Sequence, residues 1–137
     1  MDNYVGKKYR LKTSDNFENY LKHIEVGYLS RKAAISVTPT ACLYKNDDGS
    51  YTFTMFTTFR AVDFTFTPGE EFIEERADGV KVKALVVFEG NTLIHTQVED
   101  NGRKSTHVRK FTHDTLTVTT TSEGWDGKCV RVYEILK

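Results

Sequence analysis

The chain has 137 residues, with 19 Lys and Arg balanced by 19 Asp and Glu, and 39% of it is hydrophobic. That length suits one domain with a sizeable core, and the balanced charge lacks the positive excess of a nucleic-acid-binding surface. No apolar run is long enough to span a membrane, and the opening MDNYVGKKYRLK has no signal-peptide core, so a cytoplasmic protein is expected.

After a first strand, SDNFENYLKHIEVGYLSRKAAI (14–35) breaks into helical spacing. Phe17, Tyr20, Leu21 and Ile24 recur on one face, and Asp15 with Glu18 has the form of a capping box. Gly27 interrupts, and a second short helix over about Tyr28 to Ala34 ends before Pro39. Lys22, Arg31 and Lys32 are too few for a DNA-recognition surface.

The rest reads as short β-segments: 51–56, 61–67, 80–88, 92–98, 106–111 and 115–121, with CVRVYEILK (129–137) last. NDDG, PG, ADG, EGN, DNG and HD separate them with tight-turn chemistry. Evenly spaced strands with hairpin-length connections predict an all-β, up-and-down antiparallel barrel or sandwich, with the helix pair inserted after strand one.

In the last strand, Cys129, Arg131, Tyr133 and Ile135 share one face. If that face is the core, a buried cation needs a partner. Neighbouring strands offer Leu93, His95 and Gln97, then Ser105, His107, Arg109 and Phe111, then Leu116, Val118 and Thr120 on the matching phase. The opposite phase is no more polar, so periodicity alone leaves the inward side open.

Nothing in the sequence carries catalysis or a cofactor. His95 and His107 have no third ligand spaced to hold a metal, and the neighbouring acid pairs Asp47-Asp48, Glu70-Glu71 and Glu74-Glu75 point apart on alternating strands. GRKST (102–106) lacks the glycine and Gly-Lys order of a phosphate loop. Cys42 and Cys129 sit in apolar strand context and read as buried, reduced thiols.

Several stretches in order give the chain a family likeness. KKYRLKTSDNFENYLKHI, GYLSRKAA (27–34), TTFR (57–60), PGEEFIEERADGVKVK (68–83), GNTLIHTQ (90–97) and CVRVYE (129–134) together resemble the cytosolic fatty-acid-binding protein family, which includes the cellular retinoid-binding proteins. The likeness runs through the whole chain as one lipid-binding domain, residues 1–137. It implies a ten-stranded flattened β-barrel (a β-clam) with the helix pair as a lid.

By that resemblance Arg131 and Tyr133 match a strand that binds a lipid carboxylate, with Arg109 as a second arginine. Phe17, Tyr20, Leu21, Tyr28, Phe59, Glu74, Gln97, His107, Val118 and Thr120 fall in cavity or portal positions. Glu74 matches a buried family acid that could meet one arginine through water.

The function implied is an intracellular carrier of one long-chain fatty acid or similar hydrophobic carboxylate, as a monomer, with no cofactor and no metal. Retinoic acid is the alternative ligand, and a barrel enzyme acting on a small lipid is the alternative class. Lys22, Arg31 and Lys32 read as a solvated face or as a patch for transient contact with anionic membranes, with nuclear entry on ligand binding a further possibility of the same patch. The sequence departs from the family at Tyr9, where Trp is usual. It departs also at Val98 to Gly102, in place of a Trp-Asp-Gly hairpin, and in the long loop SEGWDGK (122–128), which carries the only Trp.

Overall fold

The computed structural model describes residues 1–137. Ten antiparallel strands follow one another: β1 (Lys8–Asp15), β2 (Thr40–Lys45), β3 (Tyr51–Phe56), β4 (Ala61–Phe66), β5 (Phe72–Glu75), β6 (Lys81–Glu89), β7 (Thr92–Val98), β8 (Lys104–Phe111), β9 (Thr115–Ser122) and β10 (Cys129–Ile135). Helices α1 (Phe17–His23) and α2 (Tyr28–Ile35) lie between β1 and β2. The order in the sheet is β4-β3-β2-β1-β10-β9-β8-β7-β6-β5, so β1 pairs with β10 and the sheet curls into a barrel left open between β4 and β5.

Burial settles the phase that periodicity left open. Cys129, Arg131 and Tyr133 are buried, as are Leu93, His95, Gln97, Arg109, Phe111, Leu116, Val118 and Thr120, so the face of Arg131 is the inside. Two cores result. The larger runs through the barrel around Tyr9, Leu43, Phe53, Phe66, Val86, Leu93, Phe111 and Leu116. The smaller joins α1 to the barrel rim through Tyr20, Leu21, Ile24, Val26 and Cys129. Both cysteines are free and buried.

The end away from the helices is closed by the N-terminus. A 3₁₀ turn at Asp2–Tyr4 brings Met1, Tyr4 and Val5 against the larger core, with Tyr4 stacked on Phe111 at 5.8 Å. Asp2 accepts hydrogen bonds from the Tyr51 hydroxyl (2.7 Å) and Lys45 (3.0 Å), which anchors the turn.

The capping box predicted for α1 does not form. Asp15 remains in β1, the N-cap is Asn16 at φ 68°, and no side chain caps the helix. Asn16 instead donates to the Lys128 carbonyl (3.1 Å), so α1 begins where the chain is tied to the β9–β10 loop. That loop lies against α1. Trp125 packs on Tyr20 and stacks on His23, and His23 Nε2 donates to the Glu123 carbonyl at 2.9 Å. Gly127 makes the fit possible, since a Cβ there would stand 2.8 Å from the Trp125 ring.

Candidate functional site

Strand register sorts the inward side chains of β7 to β10 into rows across the barrel. Nearest the helices lie Gln97, Ser105 and Ser122; next come His95, His107, Thr120 and Cys129. Below them Leu93, Arg109, Val118 and Arg131 form a third row, and Phe111, Leu116 and Tyr133 a fourth. Arg109 and Arg131 therefore flank Val118 on one row, about 10 Å apart by strand spacing, with Tyr133 one row deeper. A β-bulge between Leu11 and Thr13 shifts the register of β1 and sets Ser14, itself exposed, opposite Arg131.

Each arginine rests on aromatic faces. The Arg131 guanidinium lies 3.9 Å from the Phe17 ring centroid, and its Nε donates to Ser14 Oγ at 3.1 Å. The Arg109 guanidinium lies 4.5 Å from the Phe53 centroid. Such contacts offset part of the cost of burying a cation. Neither arginine has a carboxylate partner.

A chain of hydrogen bonds runs behind Arg109 across the barrel. Arginine only donates, so its bond to His95 Nδ1 (2.9 Å) makes that nitrogen the acceptor and places the ring proton on Nε2, which donates to Glu74 at 2.7 Å. Gln97 donates to both Glu74 oxygens at 3.1 Å and accepts from His107 Nε2 at 2.7 Å, while His107 Nδ1 and the Thr120 hydroxyl share a hydrogen bond at 2.8 Å. His95 is thus neutral, and burial keeps His107 neutral as well. Glu74 meets Arg109 through His95, where the family likeness left room for a water.

The electrostatics agree with these assignments. Burial lowers His107 well below its ordinary value, with Arg109 and His95 adding to the effect, and burial also lowers His95 against the pull of Glu74. Burial alone would raise Glu74, but the hydrogen bonds from His95 and Gln97 outweigh it and hold the carboxyl below the usual range. Arg109 is pulled by burial down to about 10 and stays cationic at neutral pH. Burial raises Tyr133, which therefore remains a hydroxyl donor.

Donors remain without partners at one place. Arg109 Nε, both terminal nitrogens of Arg131 and the Tyr133 hydroxyl make no hydrogen bond within the protein. Two guanidinium groups against the single Glu74 carboxylate leave one excess positive charge inside. Facing this set are Phe64, Phe66, Phe72 and Met55, partly or wholly buried on β3 to β5. The interior thus has a cationic floor and polar rows on one side, and an aromatic wall on the other.

The remaining residues expected in the cavity or portal divide. Tyr20, Leu21, Glu74, Gln97, Val118 and Thr120 are buried, and Phe17 and His107 half-buried. Tyr28 and Phe59 are 63% and 92% exposed, so they lie on the outside of α2 and of the β3–β4 turn and do not line the interior. Arg31 and Lys32 are not free cations: both pair with Glu18, at 3.1 and 2.7 Å, leaving Lys22 as the lid's unpaired charge of the three.

Sequence reasoning missed Ser14, which only the bulge pairs with Arg131, and His95 as the link between Glu74 and Arg109. It also missed a rim cluster. Arg103 binds Glu99, Glu25 and the His23 carbonyl, and Glu99 also faces Arg76, which pairs with Asp78. A surface hollow of about 540 Å³ lies at the open β4–β5 edge. Arg60, Asp63, Glu75, Arg76 and Asp78 line it, and that charged lining is a poor match for an acyl chain.

Comparison with known proteins places this geometry. The family model described as lipocalin / cytosolic fatty-acid binding protein family matches residues 5–134. A fatty acid-binding protein of Tyrophagus putrescentiae is 40% identical over 120 residues, 88% of this chain and 90% of that one. A crystal structure of a fatty acid-binding protein from brain tissue of Drosophila melanogaster superposes with TM-score 0.87 at 40% identity, covering 96% of this chain and 98% of that one. A Schistosoma mansoni fatty acid binding protein in complex with arachidonic acid superposes with TM-score 0.90 at 31% identity, covering 100% and 98%.

Proposed function

The chain belongs to the lipocalin / cytosolic fatty-acid binding protein family, and from that premise we propose that it is a non-enzymatic carrier holding one long-chain fatty acid inside the barrel. The observation that supports this most is the set of donors without a protein partner on Arg109, Arg131 and Tyr133, of which Arg109 Nε is fully buried, beside one uncompensated positive charge. A single carboxylate satisfies both deficits at once. Guanidinium offers it a planar fork, and each charge-assisted bond contributes about 1.5–3 kcal/mol net. The tail contributes more in sum, at roughly 0.8 kcal/mol per buried methylene, so the arginines select and orient while the aromatic wall supplies most of the affinity.

With the head group between Arg109 and Arg131, the polar rows above them are already satisfied by one another, so the tail bends toward Phe53, Phe64, Phe66 and Phe72. Lipid passes through the helix end, where α1 and α2 lie over the polar rows. The cytosolic description of the family supports a cytoplasmic site of action, and a monomer with one ligand per chain belongs to the same proposal. Delivery takes place by brief contact with anionic membranes, through exposed Tyr28, Leu29 and Phe59 and the Lys22 charge of α1.

A stopped-flow assay with a fluorescent fatty acid tests both halves. Lipid-free protein is expected to load one ligand per chain and to hand it to anionic vesicles faster than to neutral ones, the difference shrinking as salt rises. Lys22→Glu combined with Leu29→Ser should slow transfer without altering equilibrium affinity. Reversal of Arg31 or Lys32 is a poorer probe because it also breaks their pairs with Glu18. No loading contradicts the carrier reading; loading with a transfer rate indifferent to vesicle charge, salt and mutation contradicts the membrane contact.

A further inference from the structure

Glu74 brings a formal negative charge into the barrel as well as hydrogen-bond acceptors. It is buried on β5 and its oxygens accept from His95 and Gln97, so an amide of the same shape would keep the volume while turning one acceptor into a donor. Its effect is on the interior charge. Without Glu74 the two buried guanidinium groups would present two positive charges; with it they present one. The rim charges pair among themselves, Arg76 with Asp78 and Arg103 with Glu25 and with the Glu99 that both arginines share, and none of them bonds to Arg109 or Arg131. His95 is neutral because its Nδ1 accepts from Arg109, and His107 is kept neutral by burial.

We propose that Glu74 is a specificity-determining residue that sets the barrel to accept a monoanionic head group and to disfavour a dianionic one. The inference rests on the carrier reading and adds the charge of the cargo to it. A carboxylate between Arg109 and Arg131 brings the interior to neutrality. A phosphate monoester, dianionic above its second pKa of about 6, leaves an uncompensated negative charge where desolvation is most costly. Glu74 does this without touching the ligand site directly, since His95 lies between it and Arg109.

The test is calorimetric titration of lipid-free protein at pH 8 with palmitate and with hexadecyl phosphate, which share a tail. Wild type is expected to prefer palmitate. Glu74→Gln should move the ratio of the two affinities toward the phosphate by at least tenfold. His95→Gln, which keeps the Glu74 charge and breaks its path to Arg109, should weaken palmitate binding and leave the ratio within about twofold.

An unchanged ratio in Glu74→Gln, or an equal loss of both ligands, would make Glu74 structural and overturn the proposal. Wild type also tests it alone. Its preference for palmitate should grow between pH 5.5 and pH 8 as the phosphate takes its second charge, and a constant preference would overturn it without reference to any variant. Should wild type bind neither ligand, the carrier reading itself fails.

Discussion

Replacing Arg131 by Gln is expected to weaken fatty-acid binding by about 1.5–3 kcal/mol and to leave the lipid-free protein as stable as before, or more so. The two effects have one cause. Arg131 is 7% exposed, faces no carboxylate, and is held only by Ser14 Oγ and the rings of Phe17 and Tyr133. In the absence of lipid it is a desolvated cation whose cost those contacts offset only in part; with lipid it acquires a charged partner. Removing it therefore relieves the empty barrel and impairs the filled one. Titration with palmitate and thermal melts of the lipid-free forms check both. A variant that binds normally but melts clearly lower would make Arg131 a structural arginine.

Acid should destabilise the lipid-free barrel, beginning near neutrality. His107 is held well below its ordinary value of 6.5, chiefly by burial. Between its folded and unfolded values the unfolded chain binds a proton that the folded chain does not. Stability therefore rises with pH and is lost as pH falls below about 6.5, at up to about 1.4 kcal/mol per pH unit for each such group. His95, lowered first by burial as well, adds in the same direction. Glu74 adds further loss at lower pH, since its depressed value means stability present above 4.5 and lost as pH falls through the folded value. Urea melts at pH 7.5, 6.5 and 5.5 should show the decline, and His107→Gln should make it shallower. A flat profile, or an unchanged slope in the variant, would mean that the rings take up protons freely in the folded state.

Strand alternation and turn chemistry were enough to read the barrel, because hairpins register in sequence as period-two segments separated by turn residues. The same alternation grouped Arg131 with Tyr133 and aligned Arg109 with His107, but it could not say which phase faces inward, since Thr106, Val108, Val130 and Val132 are as apolar as the residues opposite them. The resemblance decided that point in advance of the structure, and burial agrees with it. What was not legible depends on contacts distant in sequence. Glu74 and His95 meet across 21 positions, and Arg109 reaches that carboxylate only through the ring.

A one-residue bulge made Ser14 a partner of Arg131, and no local pattern marks it. Asp15 has the chemistry of a cap yet stays in the strand, because pairing with Val130 holds it there while Asn16 turns the corner. Trp125 belongs to the lid's core through ring contacts with α1 that the loop sequence does not announce.

The most direct measurement of the central claim is a calorimetric comparison of palmitic acid with its methyl ester on delipidated protein. The two share a tail and differ at the group assigned to Arg109, Arg131 and Tyr133. Binding of one acid per chain, with the ester weaker by at least the free energy of one charge-assisted hydrogen bond, about 1.5–3 kcal/mol, is the expected result. Equal affinity for acid and ester would contradict it, and would mean that the buried arginines are not there for a carboxylate.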